Sequence, residues 1–209
     1  MMRRIALSMR TVEARETGEP QSALATDWIH WLDAVGMRPI LVPNGLNDPV
    51  AFLDEMTPDL IVLTGGGERG QSPERDRVEE LFLQHAIETA SPLLGVCRGL
   101  QVINEIIGGH QQSVAGHVAV RHEVIIKPSW QNIYGPSVTV NSYHDLGIPA
   151  GALADDLIVA ATDEAGNVEA AYHKTLPIAC VMWHPEREGA PVADRLLFET
   201  LIKDGVFWR

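Results

Sequence analysis

The chain of 209 residues carries 16 Lys and Arg against 28 Asp and Glu, a formal net charge of −12 at pH 7, which excludes general nucleic-acid binding because phosphate affinity comes from clustered Lys and Arg. Hydrophobic residues at 45% and charged residues at 21% exclude disordered and fibrous chains and fit one folded domain over 1–209. Two cysteines, Cys97 and Cys180, are too few for a disulfide framework, and no apolar run approaches the ~20 residues of a membrane span or forms a signal peptide, so a reducing cytoplasm is expected.

Short β-branched runs alternate with helix-period segments through the first half, the pattern of a parallel sheet covered by helices on both faces. Arg4 to Ser8 reads as the first strand. Leu24, Trp28, Trp31, Leu32 and Val35 then fall at helical spacing between Ser22 and Met37, with Gly36 where a helix commonly stops. Pro39–Val42 is a second strand, Val50–Met56 a short helix, and Leu60–Leu63 a third strand that empties into Gly65-Gly66-Gly67. Ser72-Pro73 supplies an N-cap and a first-turn proline for a helix reaching about Thr89. The strand Leu93–Val96 ends at Cys97, and Leu100, Ile103, Ile106 and Ile107 mark a helix closed by Gly108-Gly109. Five short strands follow, at Val124–Ile126, Val138–Val140, Leu157–Val159, Val168–Tyr172 and Ile178–Met182. Turn residues between them predict hairpins that extend the sheet. A last helix is expected over Val192–Lys203, with Leu196, Leu197, Thr200 and Leu201 facing inward.

In a doubly wound sheet the ligand sits outside the carboxyl ends of the strands, and three features arrive there. Gly95-Val96-Cys97-Arg98-Gly99 is a strand-to-helix turn that presents a cysteine between glycines, as a nucleophile elbow presents serine. A thiol so placed lies at a helix N-terminus, whose dipole and free N–H groups favour an anion. A small buried core thiol is the alternative reading, and it is the one that fits Cys180, which alternates within an apolar strand. Met182-Trp183-His184-Pro185-Glu186 closes the last strong strand. There His184 and Glu186, two residues apart in an extended backbone, can share a face as base and orienter. Thr64-Gly65-Gly66-Gly67 can turn N–H groups toward a ligand, or be a plain tight turn. It lacks the Gly-Lys-Ser/Thr ending of a P-loop.

Taken together, Gly95-Val96-Cys97-Arg98-Gly99-Leu100-Gln101, the upstream triple glycine and Trp183-His184-Pro185-Glu186 resemble the class I glutamine amidotransferase superfamily. Glu74-Arg75-Asp76 and Asn141-Ser142-Tyr143-His144 look like its γ-glutamyl hydrolase branch. The resemblance covers nearly the whole chain and implies a flavodoxin-like three-layer α/β/α fold with a mostly parallel sheet and antiparallel additions in the second half. A narrower resemblance, to γ-glutamyl-CDP-amidate hydrolases of capsule phosphoramidate synthesis, is carried by Ile5-Ala6-Leu7-Ser8-Met9-Arg10, Gly116-His117 to Val124, and Val168-Glu169-Ala170 to Glu188.

The family pattern implies Cys97 as nucleophile, His184 as general base and then acid, and Glu186 as its orienter. It implies an oxyanion hole from the backbone N–H groups of Gly66 and Arg98. Gly67, Gln101 and Asn141-Ser142-Tyr143 match positions that hold the glutamyl group. No metal or organic cofactor is implied. The substrate would be a small γ-glutamyl amide, with a separate synthetase as a possible partner and the oligomeric state left open. An anionic leaving group would need local cations against the net charge of the chain, and Arg10, Arg69 and Arg75 are candidates by position, with solvated surface arginines as the alternative.

His110, His117 and His122 have no metal-ligand spacing and no cysteine nearby, so a metal is not expected there. Ser142, His144 and Asp145 are too close in sequence to form a serine triad.

Overall fold

The computed structural model describes residues 2–208, with Met1 and Arg209 outside it. In chain order the elements are β1 (Arg3–Ser8), β2 (Arg10–Glu13), β3 (Pro20–Ala23), α1 (Thr26–Ala34), β4 (Met37–Val42), α2 (Pro49–Met56), β5 (Leu60–Leu63), α3 (Pro73–Thr89), β6 (Leu93–Val96) and α4 (Arg98–Ile106). They continue with β7 (Gln112–Ser113), β8 (Val118–Ile126), α5 (Gln131–Tyr134), β9 (Ser137–Tyr143), β10 (Leu146–Gly147), β11 (Leu157–Thr162), β12 (Val168–His173), β13 (Ile178–Val181) and α6 (Asp194–Asp204).

A nine-stranded sheet runs β4-β1-β5-β6-β13-β12-β11-β8-β9. The pairs from β4 to β13 are parallel, and those from β13 through β12, β11 and β8 to β9 are antiparallel. Side-chain alternation along the buried strands divides the core. Ile5, Leu7, Leu60, Val62, Leu94 and Val96 pack with Trp28 and Leu32 of α1 and with Leu197, Phe198 and Leu201 of α6. Ala6, Ile61, Leu63 and Leu93 pack on the other face with Leu53 of α2, Phe82 of α3, and Leu100 and Ile103 of α4. The result is the expected three-layer α/β/α arrangement.

Four details depart from the sequence reading. Arg10–Glu13 and Pro20–Ala23 form an antiparallel hairpin; its residues are mostly exposed, so no apolar alternation announces it. Helix α1 therefore begins at Thr26 rather than near Ser22. Ser72 does not cap α3 with its side chain; its hydroxyl meets that of Thr11 at 2.6 Å. In α6 Leu196 is exposed and Phe198 is buried, because the face that meets the sheet is set by Asp194, Leu197, Phe198 and Leu201.

The chain leaves β1 toward β4 and then returns to β5, so the winding reverses between β1 and β5. The carboxyl ends of β1, β5, β6 and β13 thus converge on one edge, the usual place for a ligand in an open α/β sheet.

Candidate active site

Cys97 lies between the last residue of β6 and the first of α4, with φ 51° and ψ −104°. A side chain other than glycine rarely takes a positive φ, and holding it there costs about 1–3 kcal/mol. The surroundings enforce it. Cys97 N donates to Val181 O at 2.8 Å, and Gln101 N donates to Cys97 O at 3.2 Å. The flanking glycines are required by close approach: a Cβ on Gly99 would stand 2.2 Å from Leu63 O, and one on Gly95 2.7 Å from Ile103 Cδ1 and 2.8 Å from the Gly99 carbonyl carbon. Strand and helix therefore press together beneath the cysteine, which tilts its thiol to the sheet edge.

His184 and Glu186 follow β13. Nδ1 of His184 pairs with Glu186 Oε1 at 2.9 Å, and both side chains are almost wholly buried. The segment is not extended as expected from its sequence: Pro185 and Glu186 lie in a turn closed by Arg187 N donating to His184 O at 3.1 Å, and the turn brings the carboxylate back to the imidazole. Asn141, in β9, fixes the same residue by its backbone: Oδ1 accepts from His184 N at 2.8 Å and Nδ2 donates to His184 O at 2.9 Å. Tyr143 stands edge-on to the imidazole, with centroids 5.6 Å apart. Behind it Asp194 accepts from Trp183 Nε1 at 3.0 Å and from Tyr134 OH at 2.7 Å. Burial, with the charge of Glu186 adding, raises the Asp194 carboxyl to about 7. Burial alone would lower the His184 pKa, but hydrogen bonds to Cys97 and Glu186 and the charges of both prevail and raise it to about 9. Gly65 touches both partners, since a Cβ there would lie 2.6 Å from His184 Cε1 and 3.5 Å from Cys97 Cβ.

The glycine loop after β5 takes positive φ at Gly66 (91°) and Gly67 (73°), which glycine alone adopts without strain. Arg75 of α3 holds it, donating to Thr64 O at 2.7 Å, to Gly65 O at 3.2 Å and to Gly66 O. Glu79, one turn on, pairs with Arg75 at 2.9 Å, accepts from Ser8 Oγ at 2.8 Å and pairs with Arg98, which also meets Asp76. A buried carboxylate thus ties the glycine loop to the first residue after the cysteine.

These elements open on a pocket of about 170 Å³ lined by Gly66, Gly67, Cys97, Arg98, Gln101, Tyr143, His184 and Arg187, among others. Arg187 Cζ lies 4.5 Å above the Tyr143 ring. A nucleophile, a base with its orienting carboxylate and a glycine loop at the rim of a small polar pocket can perform acyl transfer to a thiol.

Residues 5–186 match the Peptidase C26 family. The chain belongs to the Peptidase C26 family, within the class I glutamine amidotransferases. Its relatives include the glutamine-hydrolyzing GMP synthase subunit of Methanosarcina acetivorans, 31% identical over 159 residues that cover 75% of this chain and 78% of the relative. Gamma-glutamyl-CDP-amidate hydrolase of Campylobacter jejuni is 30% identical over 152 residues, covering 69% of this chain and 71% of that protein. A solved Thermoplasma acidophilum protein described as a GMP synthase subunit superposes with a TM-score of 0.72 at 25% identity, over 99% of this chain and 94% of that one.

For this C26 chain the structure sorts the residues singled out by sequence. Cys97, His184, Gly66, Gly67, Arg98, Gln101 and Tyr143 meet at the pocket. Glu186 stands directly behind His184. Gln101 also donates to Leu146 O at 2.9 Å. Asn141 and Ser142 do not line the pocket: Asn141 is committed to the His184 backbone, and Ser142 Oγ donates to His117 O at 2.6 Å. Arg75 is 2% exposed and spent on loop carbonyls and Glu79, so it is a brace and not a substrate contact. Arg69 turns to Glu80 at 3.8 Å, away from the pocket. Arg10 is exposed in the adjoining cleft beside Gly65, Glu186 and Arg187. Cys180 is fully buried, with its thiol pushed up to about 12 by burial.

Sequence reasoning missed Arg187, which takes the rim position expected of Arg75. It also missed Glu79, whose i,i+4 relation to Arg75 was its one visible signal. His117 and His122 converge with His144, Asp163 and Glu169, whereas His110 is exposed elsewhere. Among the described residues no helix is long and apolar enough to cross a membrane.

Proposed function

We propose that this chain hydrolyses a γ-glutamyl amide through a thioester on Cys97. The placement of a strained elbow cysteine and an imidazole paired to Glu186 against the same glycine and at the same pocket carries this reading. The sulfur of Cys97, its proton held by His184, attacks the γ-carbonyl carbon. A C–S bond forms and the carbonyl electron pair moves to oxygen, where the backbone N–H groups of Gly66 and Arg98 receive it. Each such donor is worth about 10²–10³ in rate. Collapse breaks the C–N bond, and His184 gives its proton to the departing nitrogen. Water, deprotonated by His184, then attacks the thioester carbon and breaks the C–S bond, leaving glutamate and the free thiol. Glu186 keeps the imidazole oriented and stabilises its charged form through both halves.

γ-Glutamyl-CDP-amidate is the substrate we favour, on the Campylobacter relative and on two cations, Arg10 and Arg187, that flank the cleft next to the pocket. The second reading is a glutaminase subunit that hands ammonia to a separate synthetase, favoured by the relatives named as glutamine-hydrolyzing subunits of GMP synthase. Glutamate release is measured with glutamine, γ-glutamyl-γ-aminobutyrate and γ-glutamyl-CDP-amidate, each with Cys97→Ala as control. Turnover of the nucleotide adduct by the chain alone supports the first reading. Glutaminase activity only upon addition of a synthetase supports the second.

A further inference from the structure

Next to the catalytic pocket, and outside the reaction just described, β8, β9 and β12 bring three histidines around Glu169. His117 Nε2 lies 3.8 Å and His144 Nε2 3.6 Å from Glu169 Oε1, and His122 Nε2 lies 3.4 Å from Oε2. Asp163 Oδ2 is 3.0 Å from His117 Nε2. The Glu169 side chain is 1% exposed, yet neither oxygen has a hydrogen-bond partner, and Nε2 of His122 and of His144 are equally unpartnered. A buried carboxylate without hydrogen-bond partners is unfavourable unless a cation stands beside it.

The ring orientations say what kind of cation. His117 Nδ1 meets Ala115 O at 3.0 Å and His144 Nδ1 meets Leu146 O at 3.0 Å. A carbonyl needs a donor, so Nδ1 of His144 carries the hydrogen and its Nε2 is left without a partner beside Glu169; His117 Nε2 instead meets Asp163 Oδ2 at 3.0 Å, a contact in which a bound ion would take the place of the shared proton. This is the arrangement of metal-ligating histidines, whose other nitrogen is held by a backbone carbonyl. The spacings agree. Separations of 3.4–3.8 Å are long for hydrogen bonds, and ligands on a shared tetrahedral ion at ~2.1 Å stand about 3.4 Å apart. Ligand atoms of His117, His122 and Glu169 all lie within 4.8 Å of one another. On their outer side a solvent-open cavity of about 540 Å³, walled by His122 and Asp163, supplies an entry path.

We infer that His117, His122 and Glu169, with His144 and Asp163 alongside, form a binding site for a divalent transition-metal ion of the zinc class. Nitrogen-rich donors select zinc over magnesium or calcium, which take oxygen. The His-x4-His spacing looked uninformative in the sequence because the third ligand comes from a strand far along the chain. The site binds together β8, β9 and β12. Through His117 O, which accepts from Ser142 Oγ at 2.6 Å, it supports the strand that carries Asn141.

Untagged full-length protein, stripped with a chelator and desalted, is titrated with Zn²⁺ by calorimetry, and its metal content is counted after gel filtration. We expect one retained equivalent, a rise in thermal midpoint, and a visible Co²⁺ absorption of tetrahedral intensity. His122→Ala and Glu169→Gln should each weaken Zn²⁺ binding more than 10²-fold, while Cys97→Ala leaves it unchanged. His122, at the cavity wall, is the substitution most compatible with folding. Absence of a retained ion in folded wild-type protein would overturn the inference. So would binding that survives His122→Ala and disappears in Cys97→Ala, which places the ion on the catalytic thiol.

Discussion

Asn141 grips His184 at both backbone ends, accepting from its N–H at 2.8 Å and donating to its carbonyl at 2.9 Å. The imidazole position therefore depends on a side chain from a distant strand, which touches no pocket surface. Asn141→Asp keeps the size and the acceptor but replaces the donor with an oxygen facing the His184 carbonyl. A misplacement of about 1 Å in a reacting group can lower a rate ~10²-fold. We expect kcat to fall by about that factor with KM little changed; steady-state kinetics on glutamate release checks it.

The pH profile follows from the His184 pair. Its pKa, raised from 6.5 to about 9 by Cys97 and Glu186 against burial, places an alkaline limb near 9, where the imidazolium that protonates the leaving nitrogen is lost. Glu186→Gln removes one of the charges that raise it and should move that limb to lower pH. Stability has the same sign. A folded-state value above the unfolded one contributes fully below pH 6.5 and is lost as pH rises toward 9, so urea midpoints should decline over that interval, and decline less in Glu186→Gln.

Gly65 separates the two reacting side chains. Its φ is ordinary, so alanine there does not strain the backbone, but the added carbon would meet His184 Cε1 at 2.6 Å. Gly65→Ala should lose about 10²-fold in kcat/KM while its thermal midpoint stays within a few degrees of wild type. A variant with a clearly lowered thermal midpoint and unchanged kcat/KM would show that the loop supports the fold and not the base.

Glu79 is the centre of a buried ionic network with Arg75, Arg98 and Ser8. Removing one member of a buried pair typically costs 3–5 kcal/mol because its partner remains charged without compensation. Glu79→Ala leaves buried Arg75 without a carboxylate and Arg98 with Asp76 alone, and should lower the unfolding free energy, measured by urea titration, by about that order. The backbone amides of Gly66 and Arg98 should lose their fixed spacing, which reduces kcat more than it raises KM.

The parts of this structure legible in the sequence are those governed by burial. β5 and β6 lie where the fully apolar runs Leu60–Leu63 and Leu93–Val96 place them, and the glycines around Cys97 foretell a turn that no side chain could fit. The hairpin Arg10–Glu13 with Pro20–Ala23 was hidden, since backbone pairing and not apolar contact holds it. β8 extends back to Val118 for the same reason: Val118 and Val120 are exposed and carry no core signal ahead of Val124. Cys97, His184 and Glu186 could be placed at the sheet edge from local spacing because each lies at or just beyond a strand end, while their roles came from the family resemblance. Arg75 could not be placed, since its position near the glycine loop suits a substrate contact and a brace equally, and only the carbonyls of Thr64, Gly65 and Gly66 decide between them. The histidine cluster was illegible because Glu169 joins His117 and His122 only through strand pairing.

The covalent step is the centre of the account, and mass spectrometry of acid-quenched protein taken during turnover of a γ-glutamyl amide tests it most directly. We predict an adduct of one glutamyl group on the peptide that contains Cys97, removed by hydroxylamine, absent in Cys97→Ala and accumulated in a variant whose base is impaired. Sustained glutamate release by Cys97→Ala, or an adduct on any other residue, would contradict it.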